Sequence, residues 1–286
     1  MPLDSCDSTC ATCRRRRNCI IGDPGGPVSA DDSSVAWVEV VEAGRGLAEP
    51  AEQGRLIGIL RSGLLRLDKV DARGKRHMLG LVLPGEPVGE LLPTASAHAV
   101  TAVVTSRICR LRTERELDFS DFTPQLRLHL LSSFSVRLAR LHSFLWIRAS
   151  LSVNARVAAL LLIAARIAEP SPLPHGGALL SFVLPRQDAA DLLSTTVESF
   201  CRGLYGLESD GYIAIRDSRH FELRDIAGLE RLSALDGSYL DTLFPRMRAH
   251  ARPRIRDIAI APMHSAKGGP HGRVARRAAD ITDLMR

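Results

Sequence analysis

No stretch of the 286-residue chain reaches the roughly 18 uninterrupted apolar residues that a membrane-spanning helix needs, and the run from Val157 to Ile167 is too short. The N-terminus, MPLDSCDSTCATCRRRR, has no apolar segment of the kind a secretory signal carries. A cytoplasmic protein is therefore expected, with no membrane partner. Without export a disulfide framework is not expected either, because cytosolic thiols stay reduced. A Ser/His/Asp order, a phosphate loop and a zinc-protease motif are all missing, which leaves an enzymatic reading without chemistry to carry it. The folded body also lacks excess charge. The sequence pI is about 9.3 and the net charge +6, but Ser238 to Arg286 holds ten Lys/Arg against four Asp/Glu, so this basic tail accounts for the whole surplus. Charge alone argues only weakly for an anionic partner, and a solvated tail explains it equally well.

What the chain does have is cysteine in an unusual place. Of its six cysteines, Cys6, Cys10, Cys13 and Cys19 crowd the N-terminus and Cys109 stands alone mid-chain. Clustered cysteines in a cytosolic chain point to metal or redox chemistry. Thiolates are the usual ligands of iron–sulfur clusters, and ligands from distant segments make cluster assembly equivalent to ordering the chain between them. A Cys₄ zinc site usually shows two close Cys pairs, which this spacing does not; zinc, or an unmetallated thiol set, remains the alternative.

Along the chain, Pro24-Gly25-Gly26-Pro27 closes the Cys-rich segment. Short apolar runs then recur between turn signals: Leu56 to Leu60, Leu64 to Val70, Met78 to Leu83, Val100 to Val104 and Ile108 to Leu111. This spacing predicts an antiparallel sandwich or roll. The period then changes. Leu131, Phe134, Leu138, Leu141 and Leu145 follow one another by 3, 4, 3 and 4, the rhythm of a coiled-coil seam, after a helix-starting Pro124. Such a seam predicts a homodimer axis; the alternative is a helix packed on its own domain. A second helix is expected over Val153 to Ala168. Further on, Arg186 to Leu193 reads as a short helix, Ser194-Thr195 as a turn, Thr196 to Ser209 as a second helix, and Tyr212 to Leu223 as a hairpin. Helix, tight turn, helix, hairpin is a winged helix-turn-helix. Thr196, Glu198, Ser199, Cys201 and Arg202 stand near the start of its second helix, where side chains reach base edges. Arg202 can fork onto guanine O6/N7 and Glu198 can accept from cytosine N4–H₂. An i, i+4 ion pair is the plainer meaning of that spacing.

The run LIGILRSGLLRLDKVDARGKRHMLGLVLPGEPVGE resembles the β-roll of the CRP/FNR superfamily of bacterial transcription regulators, and LPRQDAADLLSTTVESFCRGLYGLESDGYIAI resembles its DNA-binding motif. Cys10-x₂-Cys13-x₅-Cys19 with Cys109 is similar to the ligand set of the oxygen-sensing FNR type, which binds a [4Fe–4S] cluster and loses it to oxygen. Cys6 matches an N-terminal cysteine that is not a ligand in some members. The resemblance, which covers about residues 6 to 236, implies an α+β fold: a Cys-rich segment at 1–24, a β-roll sensor at 25–117, a dimerisation helix at 118–150 and a winged helix-turn-helix at 151–236; beyond it, the Arg, Pro and Gly content of 237–286 predicts a basic, poorly ordered tail. The resemblance also implies a homodimer bound to palindromic double-stranded DNA with half-sites like TTGAT/ATCAA, contacts with RNA polymerase, and cluster loss that ends binding. A regulator that works without the cluster and an iron–sulfur redox carrier are the two other readings.

The chain also departs from the family pattern. Gly89 and Glu90 match part of a cyclic-nucleotide phosphate site, but Ser96-Ala97-His98 supplies no arginine for the phosphate, so a cyclic nucleotide is disfavoured. Leu141 stands where an acidic, self-repelling seam residue is expected, which favours dimerisation even without metal. Cys201 replaces a serine and Ser194 the usual turn glycine. Arg14 to Arg17 place four cations between two proposed ligands, where they would favour a more negative cluster.

Overall fold

The structure is a computed structural model that describes residues 36–47, 58–89, 98–111, 124–174 and 176–244. The Cys-rich segment and the basic tail beyond Phe244 lie outside the described residues.

Five antiparallel strands build the first half: β1 (Ala36–Val41), β2 (Gly58–Val70), β3 (Arg76–Val82), β4 (Pro87–Val88) and β5 (Ala99–Leu111). They are ordered β1-β5-β2-β3, with β4 added to β2. Side chains on a strand alternate between faces, and here each face has its own core. Leu60, Leu65, Val82, Val100 and Ile108 fill the interior of the roll. Leu64, Met78, Leu81 and Val103 face the other way and join the helices.

The apolar runs Leu56 to Leu60 and Leu64 to Val70 are expected from sequence as separate strands, as are Val100 to Val104 and Ile108 to Leu111. In the structure each pair is one long strand, β2 and β5. The reason is local. Gly63 has φ +100°, and a Cβ there would stand 2.2 Å from the Ser106 hydroxyl oxygen. Glycine lets β2 bend onto β5 without ending, and the buried Ser106 hydroxyl accepts from the Leu64 amide at 3.2 Å and donates to the Val104 carbonyl at 2.7 Å. The polar residues that look like interruptions are the stitch that keeps the strands continuous.

Two helices follow, α1 (Pro124–Ser150) and α2 (Val153–Ala168), joined by Leu151 and Ser152. Ser152 caps α2 through its hydroxyl, and α2 is buried along Ala155 and Val157 to Ile163, so its nearly unbroken apolar sequence is that of a helix enclosed by other elements. Around it lie β6 (Ser171–Pro172), β7 (Ala178–Ser181), α3 (Arg186–Leu192), α4 (Val197–Ser209), β8 (Ile213–Ile215), β9 (His220–Leu223), α5 (Ile226–Ser233) and α6 (Gly237–Leu243). The small sheet is ordered β6-β7-β9-β8. Gly203 allows α4 to approach α2 closely: a Cβ there would meet Val157 Cγ2 at 2.8 Å.

The sequence reading starts the weakly ordered tail at 237, but α6 belongs to the folded body. Asp236 caps it through the Tyr239 amide, and Leu240, Leu243 and Phe244 are buried. It is tied to α1 by a Ser143–Tyr239 hydroxyl pair at 2.7 Å and to α2 by Arg166–Asp241 at 2.6 Å.

Candidate nucleic-acid interface

Arg186 opens α3 directly after Pro185, which makes no side-chain cap but whose carbonyl accepts the first helical bond from the Ala189 amide at 2.9 Å. The helix ends at Leu192 with Leu193 as its C-cap, and the chain turns at Ser194 with φ +51°. The family-like glycine would adopt this left-handed conformation freely; serine holds it at a cost of about 1 kcal/mol. Thr196 then caps α4, its hydroxyl accepting from the Ser199 amide at 3.1 Å. Thr196 is thus a cap as well as a candidate contact, and the helix begins one residue later than the sequence reading places it. Phe200, Gly203, Leu204 and Leu207 are the buried side of α4.

The opposite side is open. Glu198 and Arg202 pair at 3.4 Å with their side chains 78% and 70% exposed, and Arg202 also donates to the Ser199 hydroxyl at 3.1 Å. An exposed pair of this kind contributes little to stability, so its side chains are available to exchange each other for another polar partner. The structure brings Thr196, Glu198, Ser199 and Arg202 together on one helical end and leaves Cys201 half-buried beside them. Tyr205, 64% exposed and one turn beyond Arg202, continues this face. The sequence reading missed it, although its i+3 spacing from Arg202 was legible.

The turn between β8 and β9 forms the wing, with Arg216, Asp217, Ser218 and Arg219 exposed. The Asp217 carboxyl accepts the backbone N–H of Arg219 and of His220 and faces the His220 ring. These contacts, the Arg219 amide first, hold it below the usual carboxylate range, so the wing tip keeps this shape until pH falls through that lowered value. Arg186 links wing to helix: its guanidinium lies over the Phe200 and Phe221 rings at 5.6 and 5.1 Å and donates to the Ser218 carbonyl at 3.2 Å.

On α1, Leu131, Leu138 and Leu145 are 50%, 53% and 59% exposed. The other two seam residues are half-buried against their own chain: the Arg137 guanidinium lies 5.1 Å from the Phe134 ring, and Leu141 packs at Gly80 of β3. The buried side of α1 carries Leu130, Arg140, Ser143, Phe144 and Ile147, with Arg140 paired to Glu86.

Cys109 sits on β5 opposite Val38 of β1 and Ile59 of β2. Its neighbour Ile108 points into the roll, so Cys109 faces outward and is half-buried. Cys10, Cys13 and Cys19 lie outside the described residues, and among the described residues no three His, Cys, Asp or Glu side chains are grouped so as to hold a metal ion.

An antiparallel roll that carries, through one long helix, two short helices joined by a tight turn and a hairpin wing is the build of a DNA-binding transcription regulator. Residues 155–232 match the Crp-like helix-turn-helix domain. The chain is 32% identical over 181 residues to the nitrogen fixation regulation protein FixK of Bradyrhizobium diazoefficiens, covering 60% of this chain and 71% of that one. It is 25% identical over 222 residues to the transcriptional activator protein FnrL of Cereibacter sphaeroides, covering 77% of this chain and 90% of that one. Among solved structures, FixK2 from Bradyrhizobium japonicum superposes with a TM-score of 0.58 at 19% identity, over 71% of this chain and 100% of that one. The chain belongs to the CRP/FNR family, whose members are transcription regulators rather than enzymes. No described helix is long and apolar enough to cross a membrane.

Proposed function

We propose that this protein is an oxygen-responsive regulator that binds palindromic, FNR-like DNA sites as a homodimer in the cytoplasm and contacts RNA polymerase when it activates. The observation that carries the DNA-reading part is the exposed end of α4, where Glu198 and Arg202 hold only each other and Ser199. In a major groove, Arg202 would exchange that pairing for guanine O6/N7, and Glu198 for cytosine N4–H₂. Tyr205 extends the contact along the groove, and Arg216 and Arg219 of the wing meet the sugar-phosphate backbone, an interaction that positions without specifying. The exposed leucines of α1 supply the two-fold axis, which sets two α4 helices about one helical turn of DNA apart, roughly 34 Å.

The sensing part rests on the cysteines. Cys109 is half-buried on the face of β5 turned away from Ile108 and the interior of the roll, a place compatible with ligands contributed by the N-terminal segment. Cys10, Cys13 and Cys19 would complete the set for a [4Fe–4S] cluster, as the likeness of their spacing to the FNR-type ligand set implies. A cluster held by these four thiolates would supply reactivity toward oxygen. Cys109 lies on a strand paired with both β1 and β2, so holding it to the N-terminus ties the leading segment to the centre of the roll and, through Arg140 on Glu86, to α1. A cluster-independent regulator is favoured by one specific observation: Leu131, Leu138 and Leu145 place no charge of their own against their twins in the seam.

Selection of tight binders from a random-sequence duplex pool tests the DNA-reading part. The expected result is a palindrome with TTGAT/ATCAA-like half-sites; a pool that converges on no palindrome contradicts it.

A further inference from the structure

A cluster of five charged side chains lies outside the reading face of α4 and includes no cysteine. It joins the β2–β3 hairpin of the roll to α3. Arg66 donates to Asp68 at 2.7 Å and to Asp188 at 2.6 Å. Arg76 donates to the second oxygen of Asp188 at 2.6 Å, to Asp191 at 3.1 Å and to Asp68 at 3.4 Å. Thr101 donates to Asp68 from β5 at 3.2 Å. Asp68 and Asp188 are each 2% exposed, so each oxygen of Asp188 is taken by a different arginine on a different strand. Burial works against the charge on Arg66, yet the carboxylates of Asp68 and Asp188 more than reverse it and raise its pKa.

The other end of α3 is held as well. Arg148, at the end of α1, donates to the Leu192 carbonyl at 2.7 Å, and Arg156 of α2 donates to the Leu193 carbonyl at 3.4 Å. The covalent connection between α1 and the reading domain is only Leu151 and Ser152. Without this ion-pair cluster, α3 would keep its place against the roll and α1 only through the Arg148 contact and shared apolar packing, neither of which fixes the N-terminal end of the helix by directional bonds.

We propose that Arg66 and Arg76 are positioning residues for DNA reading: they clamp α3 to the roll through Asp188 and thereby fix the separation of the two α4 helices in the dimer. This rests on the palindrome-binding dimer proposed above. A buried carboxylate bound by two arginines is an orientation device more than a source of stability, because much of the attraction offsets desolvation. Removing either arginine leaves a buried, under-compensated Asp188, and the domain relieves that by moving the acid toward water. Each α4 still reads its half-site. What is lost is the advantage of two half-sites engaged at one fixed spacing.

The experiment uses the full chain and its Arg66→Gln, Arg76→Gln and double variants. Each is titrated by fluorescence anisotropy against duplexes whose half-sites are separated by spacers varied one base pair at a time, and against a single half-site. Wild-type protein is expected to prefer one spacer. The double variant is expected to lose about tenfold of that preference, with single half-site affinity within about twofold of wild type. Asp191→Asn, at the edge of the cluster, is expected to shift the preference the same way by less, and it covers the case in which the double variant does not fold. Unchanged spacer preference in a folded variant, or tighter palindrome binding, overturns the clamp. A wild-type protein with no spacer preference overturns instead the dimeric reading on which the clamp depends.

Discussion

Replacing Leu138 by Asp is expected to leave the protein folded but monomeric at micromolar concentration, and to weaken binding to a palindromic site by about a thousandfold or more. Leu138 is half-exposed in the single chain, so the new carboxylate costs the isolated fold little. Two-fold symmetry doubles the effect in the pair, because each copy brings its own charge to the same place. A desolvated carboxylate costs several kcal/mol. Even about 2 kcal/mol per copy sums to about 4 kcal/mol, a thousandfold in the association constant. Sedimentation velocity of the variant checks the first half and anisotropy on the palindrome the second. The same substitution at Leu130, which is fully buried, is expected to unfold the chain instead. If the Leu138 variant remained a dimer, the seam would not be the axis.

Arg202→Ala is expected to lower affinity for the selected palindrome by about thirtyfold to ten-thousandfold, since a bidentate arginine–guanine contact contributes about 1–3 kcal/mol and each dimer carries two. Affinity for a shuffled duplex should change by far less, because phosphate contacts from the wing remain. The fold should be untouched: Arg202 is exposed, and its pairing with Glu198 contributes little. A loss of equal size on palindromic and shuffled DNA would make Arg202 a phosphate contact and remove it from base readout.

Much of this architecture is legible in the sequence because local chemistry and tertiary demand agree. The proline before α3, the threonine cap of α4 and the unbroken apolar run of α2 each mark an element whose packing then follows the same pattern. Helix α1 starts at the proline that signals a helix start and ends at the expected residue 150, positions 118–123 of the expected dimerisation helix lying outside the described residues, and the bounds of α2 coincide with the sequence expectation. Where local signals mislead, the cause is identifiable. Arg61 to Gly63 and Thr105 to Arg107 look like breaks between strands because they are polar, but Gly63 and Ser106 fit each other across the sheet. Helix α6 is too short and mixed in composition to declare itself, and it exists because Leu240, Leu243 and Phe244 find cover.

The candidate sites divide the same way. Thr196, Glu198, Ser199 and Arg202 share one stretch of helix, so their grouping follows from spacing alone. The five leucine and phenylalanine positions of α1 follow a heptad, but Phe134 is half-buried beside Arg137 and Leu141 against Gly80 of the roll, while Leu131, Leu138 and Leu145 are open, and the heptad itself does not distinguish them. The clamp on α3 was illegible for a stronger reason: Arg66 and Asp188 stand 122 positions apart, and nothing in the neighbourhood of either residue points to the other.

The central claim is that cysteines from the two ends of the sensing half control how the paired α4 helices meet DNA. One sample tests it most directly: protein purified without oxygen, assayed for iron and sulfide, and titrated on its selected palindrome before and after admission of air. About four irons and four sulfides per chain, with tight binding that is lost as the cluster absorbance decays, is the predicted result. An iron-free protein, or affinity that stays the same while the iron is lost, would contradict it.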